Sequence, residues 1–256
     1  MRTLIDIHCH ILPGLDHGAK HLEESVAMAK EAVNQGVDTI IATPQHQHSF
    51  NLNTKEDILF IVDMLNERLK AEKVNLAVLP GQTIKLHGEM LDYLSKGYLL
   101  ELNEQTGYLL IELPIDHIPK YISQIFYDLQ LQGYKPIIVH PEQHKQFKSD
   151  PSYLYELVKR GALVQLATSS LVGKHGKRAQ KLSFRLVDTN QAHFIGSEAH
   201  NQDSYTFKQA LDKVRKKFGE ETVYYFLENA QCLSSGEAAL VEKPVRIKTK
   251  KLLGLL

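Results

Sequence analysis

Short apolar runs that recur between longer amphipathic stretches constrain this chain more than any other feature. The runs are Leu4–Ile7, Thr39–Ala42, Leu76–Leu79, Tyr108–Ile111, Pro136–Val139, Leu163–Leu166 and His193–Ile195. They are mostly rich in Ile, Val or Leu and lack clean polar alternation, which is the pattern of parallel strands covered on both faces. Helical periodicity fills the gaps, over Glu23–Asn34, Lys55–Lys70, Pro119–Gln132, Ser152–Lys159, Lys177–Asp188 and Tyr205–Lys217. Gly36, Gly133 and Gly161 follow three of these stretches, where helices prefer to stop. Repeated βα units predict an α/β fold, either a barrel on the TIM plan or a doubly wound sheet.

Composition narrows the function. The 256 residues carry 30 Lys and Arg against 30 Asp and Glu, a net charge of zero. That argues against a protein that coats nucleic acid with its whole surface. Two cysteines, Cys9 and Cys232, cannot build a disulfide framework, so a reducing, cytoplasmic setting is expected. No apolar stretch is long enough to span a bilayer, and the start MRTLIDIHCH has no signal-peptide core. A barrel domain over residues 1–240 and a distinct tail over 241–256 are expected. After Glu242 the tail reads KPVRIKTKKLLGLL, five basic residues and no acid before an apolar end. It is a frayed terminus, or a peptide for docking on an acidic partner or close to a membrane surface.

The chain has 13 histidines, and their positions carry the chemistry. In parallel barrels the active site lies at the carboxyl ends of the strands. There the sequence places His8, His10 and His17 after the first run, then Thr43, Gln45, His46 and His48 after the second. Thr83 follows the third, Glu112 the fourth, His140 and Glu142 the fifth, and Thr168, Ser169 and Ser170 the sixth. Ser197, Glu198 and His200 follow the last. His8 and His10 lie two apart on a strand end, so their rings share a face and can bind one metal ion, with Cys9 on the opposite face. Glu198 and His200 repeat the spacing. Glu112 and His140 each end an apolar run, where a metal ion would compensate burial; a Glu112–His140 hydrogen bond is the alternative. The segment TSSLVGKHGKR combines Ser169 and Ser170 with Lys174, Lys177 and Arg178 at a helix start, candidates for binding phosphate oxygens; an ordinary polar loop is the alternative. His21 reads as part of a helix start, and His87, His117, His144, His175 and His193 as surface or packing residues.

The motifs DIHCHILPGLDHGA, IATP, LPGQ, IELP, VHPE, TSSLVGKHGKRAQK and SEAHN, in that order, resemble the PHP (polymerase and histidinol phosphatase) family. More closely, they resemble the manganese-dependent bacterial tyrosine phosphatases found beside capsule and exopolysaccharide genes. The resemblance spans nearly the whole chain. It implies a distorted (β/α)7 barrel and a site for up to three divalent metal ions, with manganese as the expected ion. It further implies hydrolysis of phosphotyrosine on a partner bacterial tyrosine kinase, with metal-bound water as nucleophile, in control of polysaccharide synthesis.

Carried onto this chain, the family's ligand positions hold five unchanged residues: His8, His10, Glu112, His140 and His200. Two are exchanged for another ligand type, His17 and Glu198, each at an Asp position. Two are lost, with Gln45 at a His position and Thr83 at a bridging Glu position. Gln143 stands where an Arg follows H-P-E, and a further Arg after the last His is missing, with Tyr205 near its place. Crowded divalent ions need anionic ligands, so weaker or incomplete loading is expected, with one or two ions in place of three. Either His46 or His48 would have to swing in to replace Gln45. The runner-up reading is a pseudo-phosphatase, a binding module with a degraded metal site; a hydrolase of small phosphate esters ranks below it.

Overall fold

The structure, a computed structural model, describes residues 3–48 and 51–247. Its strands are β1 (Ile5–Cys9), β2 (Thr39–Ala42), β3 (Gln47–His48), β4 (Asn51–Leu52), β5 (Ala77–Pro80), β6 (Thr83–Lys85), β7 (Tyr108–Glu112), β8 (Lys135–Val139), β9 (Leu163–Ala167) and β10 (Phe194–Gly196). All seven expected runs form strands. Two features exceed the expectation: β6, and the antiparallel hairpin of β3 and β4. Both are too short to produce a periodic signal.

The parallel strands form a three-stranded sheet, β1-β2-β5, and a five-stranded sheet, β10-β9-β8-β7-β6. Single parallel bridges join them at two seams, Cys9 to Ala199 and Gln45 to Thr83. The ladder is therefore not a continuous closed barrel. It is a ring of two sheets bridged by one residue pair at each seam, and both pairs lie among or beside the candidate site residues.

Alternation along the strands builds two apolar layers. Ile5, Ile7, Ile41, Tyr108, Leu110, Ile137, Val139, Leu163 and Phe194 point inward and form a small inner core. Ala230 and Leu233, from the helix Glu220–Ser234, plug its lower end. The alternate residues, among them Ile40, Leu109, Ile111, Ile138, Val164 and Leu166, face the surrounding helices and join the larger outer core. Burying each such side chain contributes about 1.5–3 kcal/mol.

The helices follow the predicted periodicity. Lys55–Ala71 starts where the Thr54 hydroxyl accepts a hydrogen bond from the Asp57 amide, an N-cap worth about 1 kcal/mol. Leu22–Asn34, Ile122–Leu131, Ser152–Lys159, Gly176–Asp188 and Phe207–Phe218 also match within a few residues. His21 is the N-cap residue of its helix, without a side-chain capping bond. The segment 168–178 is not one loop before a helix. Thr168–Val172 is a short helix of its own, stopped by Gly173 in the left-handed conformation before Gly176–Asp188 begins.

Residues 241–247 run along the end of the barrel opposite the strand carboxyl ends. The Val245 amide donates to the Thr189 carbonyl, and the Gln191 amide to the Val245 carbonyl. Arg246 pairs with Glu156 and stacks over Tyr155. Residues 248–256, the rest of the basic and apolar tail, lie outside the described residues.

Candidate metal centre

The inward face of the strands turns polar at the carboxyl end, and that change of chemistry makes the site. On β7, Glu112 continues the face of Tyr108 and Leu110; on β9, Gln165 continues that of Leu163. On β1 the register shifts between Asp6 and Cys9, and such bulges re-aim side chains. Ile5 and Ile7 therefore belong to the inner core while His8 and His10 still reach the barrel mouth, and Cys9 is turned into the outer core.

Four imidazoles gather there. The His8 ring lies 5.3 Å from that of His10 and 6.2 Å from that of His140, and His10 stacks on His200 at 4.2 Å. Each of the first two is oriented by a partner that sequence reasoning missed. Asp16 Oδ2 lies 2.6 Å from His10 Nδ1. Gln165 Oε1 lies 3.1 Å from His8 Nδ1, while the Gln165 amide is committed to the Leu166 carbonyl at 2.7 Å. A carboxylate and a carbonyl oxygen accept only, so both rings donate from Nδ1 and leave Nε2 as the atom that faces the mouth. This is the arrangement in which a histidine binds metal. The Thr83 hydroxyl is 3.5 Å from His8 Nε2 but donates to the Thr43 carbonyl, so it leaves that lone pair without a proton.

Burial, with the charge of His10 added, drives the His8 pKa down to about 3, and the same causes bring His200 to about 4. Both rings are neutral at pH 7. Burial acts against the charge on Glu198, but His140, His8 and the Gln143 amide outweigh it and hold the carboxyl at about 2. For His140, burial is outweighed by the carboxylates of Glu198, Glu142 and Glu112, which raise its pKa. Glu198 Oε1 lies 3.4 Å from His140 Nε2, close to the spacing of two ligands that each sit about 2.1 Å from one ion.

The backbone is bent to bring these groups in. His140 has φ 33° and Glu198 φ 52°, left-handed values that cost a non-glycine residue about 1–3 kcal/mol. The turn after β10 is fixed to β1 by buried Asp6, which accepts from the Ser197 amide at 2.8 Å and from the Tyr205 hydroxyl at 2.6 Å. Tyr205 thus serves the seam and not the mouth. Gly18 is required by close approach: a Cβ there would lie 2.0 Å from the His10 carbonyl oxygen.

The substituted positions lie against the retained ones. The Gln143 amide donates to Glu198 Oε2 at 2.8 Å, and the Gln45 amide to Glu112 Oε2 at 3.4 Å. Among the described residues, no three His, Cys, Asp or Glu side chains are already drawn together at metal-binding spacing; amide donors occupy part of each carboxylate. In donor chemistry and ring orientation, the set His8, His10, His140, Glu198 and His200 fits a divalent ion. The side formed by Gln45, Thr83 and Glu112 offers one anionic ligand, itself hydrogen-bonded to an amide.

The remaining candidates do not converge with this group in the same way. His17 is exposed on the loop after β1, near enough for its charge to act on His200. His46 is buried beside His87 and Tyr93 rather than taking the place of Gln45; the His48 side chain is outside the described residues. Ser170 is buried and Ser169 half-buried, whereas Lys174, Lys177 and Arg178 are exposed. Lys174 donates to the Asp203 carbonyl, and Lys177 lines a groove on the barrel flank. His193 and His144 are packing residues, each bonded to main chain.

An α/β barrel whose strand ends gather imidazoles and carboxylates has the donor set of a metal-dependent hydrolase. Within that class, residues 4–234 match the model of the capsular polysaccharide synthesis family CpsB/CapC, and the chain belongs to that family. It is 45% identical over 253 residues to the tyrosine-protein phosphatase YwqE of Bacillus subtilis, covering 98% of this chain and 99% of that protein. It is 36% identical to CapC of Staphylococcus aureus, over 99% of this chain and all of that one. The crystal structure of YwqE, described as a unique metal-dependent tyrosine phosphatase, superimposes with a TM-score of 0.94 over 96% of this chain and 100% of that one. A histidinol phosphate phosphatase of Lactococcus lactis shares the fold alone, at a TM-score of 0.53, 11% identity, and coverage of 86% of this chain and 93% of that one.

Proposed function

We propose that this chain is a metal-dependent phosphotyrosine-protein phosphatase of capsule or exopolysaccharide synthesis, acting in the cytoplasm on a tyrosine-phosphorylated kinase. The observation that carries the reading is the pair of oriented rings, His8 on Gln165 and His10 on Asp16, aimed at the mouth of a barrel that matches YwqE over almost its full length. The residues assigned to hold metal are His8, His10, His17, Glu112, His140, Glu198 and His200, with manganese as the preferred ion. When bound, a divalent ion supplies an activated water and offsets charge on the phosphoryl group.

The chain's own residues supply the rest. Asp16 and Gln165 fix the tautomers of His10 and His8. Glu198 and Glu112 bring negative charge to the mouth, and the amides of Gln143 and Gln45 share it. Because Gln143 holds Glu198 Oε2, Glu198 offers chiefly Oε1 as a ligand. Loading of one or two ions follows from the loss of ligands at Gln45 and Thr83. The tail beyond Glu242 docks the partner, starting from the barrel end opposite the mouth.

Phosphate release from a phosphotyrosyl peptide tests the reading. Release that needs manganese and stops with chelator supports it. Tight peptide binding without release, at full metal loading, would make the chain a binding module instead.

A further inference from the structure

The basic residues singled out beside the TSS segment do not gather at the mouth, and their placement suggests another use. Lys177, Lys181 and Arg185 are spaced four residues apart on the helix Gly176–Asp188, so they form one stripe along it. Lys177 and Lys181 are exposed. Across from them, Lys217 of the helix Phe207–Phe218 lies over two aromatic rings, 5.3 Å from the centre of Phe184 and 5.6 Å from that of Phe218. These residues line a groove of about 480 Å³ in which Asp188 is the single acid. The neighbouring Arg215 is already neutralised by Asp212 and Glu220.

Direction matters as much as charge. Both helices begin on the side of the mouth, after β9 and β10, and run toward the opposite end. The stripe from Lys177 to Arg185 is about 12 Å long at 1.5 Å per residue. That is roughly four residues of extended peptide. A positive track of this length, starting on the mouth side in a chain of zero net charge, suits a narrow anionic chain. A concave groove between helices suits a flat bilayer less well.

We propose that this groove is a docking track for an acidic stretch of the phosphotyrosyl substrate protein. The proposal rests on the phosphatase reading and adds to it a determinant of substrate choice outside the mouth. Pairing of the peptide's carboxylates with the lysines provides the attraction, and screening by salt must weaken it.

The test uses the full chain and two fluorescent phosphotyrosyl peptides, one with four acidic residues flanking the phosphotyrosine and one with glutamines in their place. Wild-type protein is expected to bind the acidic peptide at least tenfold more tightly in low salt. The variant Lys181→Glu/Lys217→Glu should lose that preference, with Lys181→Gln/Lys217→Gln in between, while thermal melting and hydrolysis of p-nitrophenyl phosphate stay unchanged. Equal affinity of wild type and charge-reversed protein for the acidic peptide overturns the proposal. So does a result in which the same lysines are needed for binding phosphatidylserine vesicles and not for the peptide. If no protein hydrolyses the small ester yet the peptide preference follows the lysines, the track stands and the phosphatase reading fails.

Discussion

Replacing Asp16 by Asn keeps the volume of the side chain and reverses its chemistry at one atom. Asp16 accepts from His10 Nδ1 at 2.6 Å, from the Gly18 amide at 2.8 Å and from the Gln45 amide at 2.9 Å. The Gly18 amide binds Oδ1, whereas His10 and the Gln45 amide share Oδ2; an Asn cannot accept at both positions, and with its oxygen on Gly18 its NH2 group faces His10 Nδ1. Two donors cannot face each other, so His10 moves its proton to Nε2 and loses the lone pair that points to the mouth. Removing such an orienting partner costs about 10–100-fold in metal affinity, or about 1.4–2.8 kcal/mol. A further 1.5–3 kcal/mol or so of stability goes with the charge-assisted bond itself. Burial alone would raise the Asp16 pKa, but the bond and charge of His10 and the two amides hold it well below the usual carboxylate range. The wild-type contribution is therefore present above about pH 4 and lost as the pH falls below it; the Asn variant lacks that acid limb. Manganese affinity by titration calorimetry, with imidazole nitrogen shifts to report the tautomer, checks the argument. An affinity within twofold of wild type, or a His10 that keeps its proton on Nδ1, would refute it.

Three other outcomes follow from the same geometry. Restoring ligands with Gln45→His and Thr83→Glu together should add at least one tightly bound ion per chain and raise phosphotyrosine turnover sharply; metal analysis that shows no gain would mean these positions do not limit loading. Gly18→Ala forces a Cβ to within 2.0 Å of the His10 carbonyl, so a loss of about 3 kcal/mol in denaturant unfolding is expected. His193 is brought to about 4 by burial, which means the unfolded chain binds its proton first as pH falls. It stabilises fully above about pH 6.5 and loses about 3 kcal/mol on descent to pH 4; His193→Gln should flatten the melting curve over that window by one proton.

The sequence carries the strands well because each is a short apolar run covered on both faces. It also carries the histidines that cluster at the mouth, because a His or Glu that closes such a run stands out. The orienting residues are harder to see. Asp16 lies in a loop, and its role appears only once that loop folds back on β1. Asp6 and Gln165 do leave a trace, as lone polar residues inside the apolar strands IDIHC and LVQLA. Strand β6 and the helix Glu220–Ser234 have weak local patterns, and tertiary packing decides both. The position of Lys177 on the flank depends on Gly173, whose left-handed turn splits one predicted helix start into two helices.

The decisive measurement is bound metal and phosphotyrosine turnover on the same preparation, with His140→Ala alongside. We predict at least one divalent ion per chain, phosphate release that rises with occupancy, and the loss of both in the variant. A chain that hydrolyses phosphotyrosine equally well when stripped of metal, or in which His140→Ala retains both properties, would contradict the assignment of the barrel mouth as the working site.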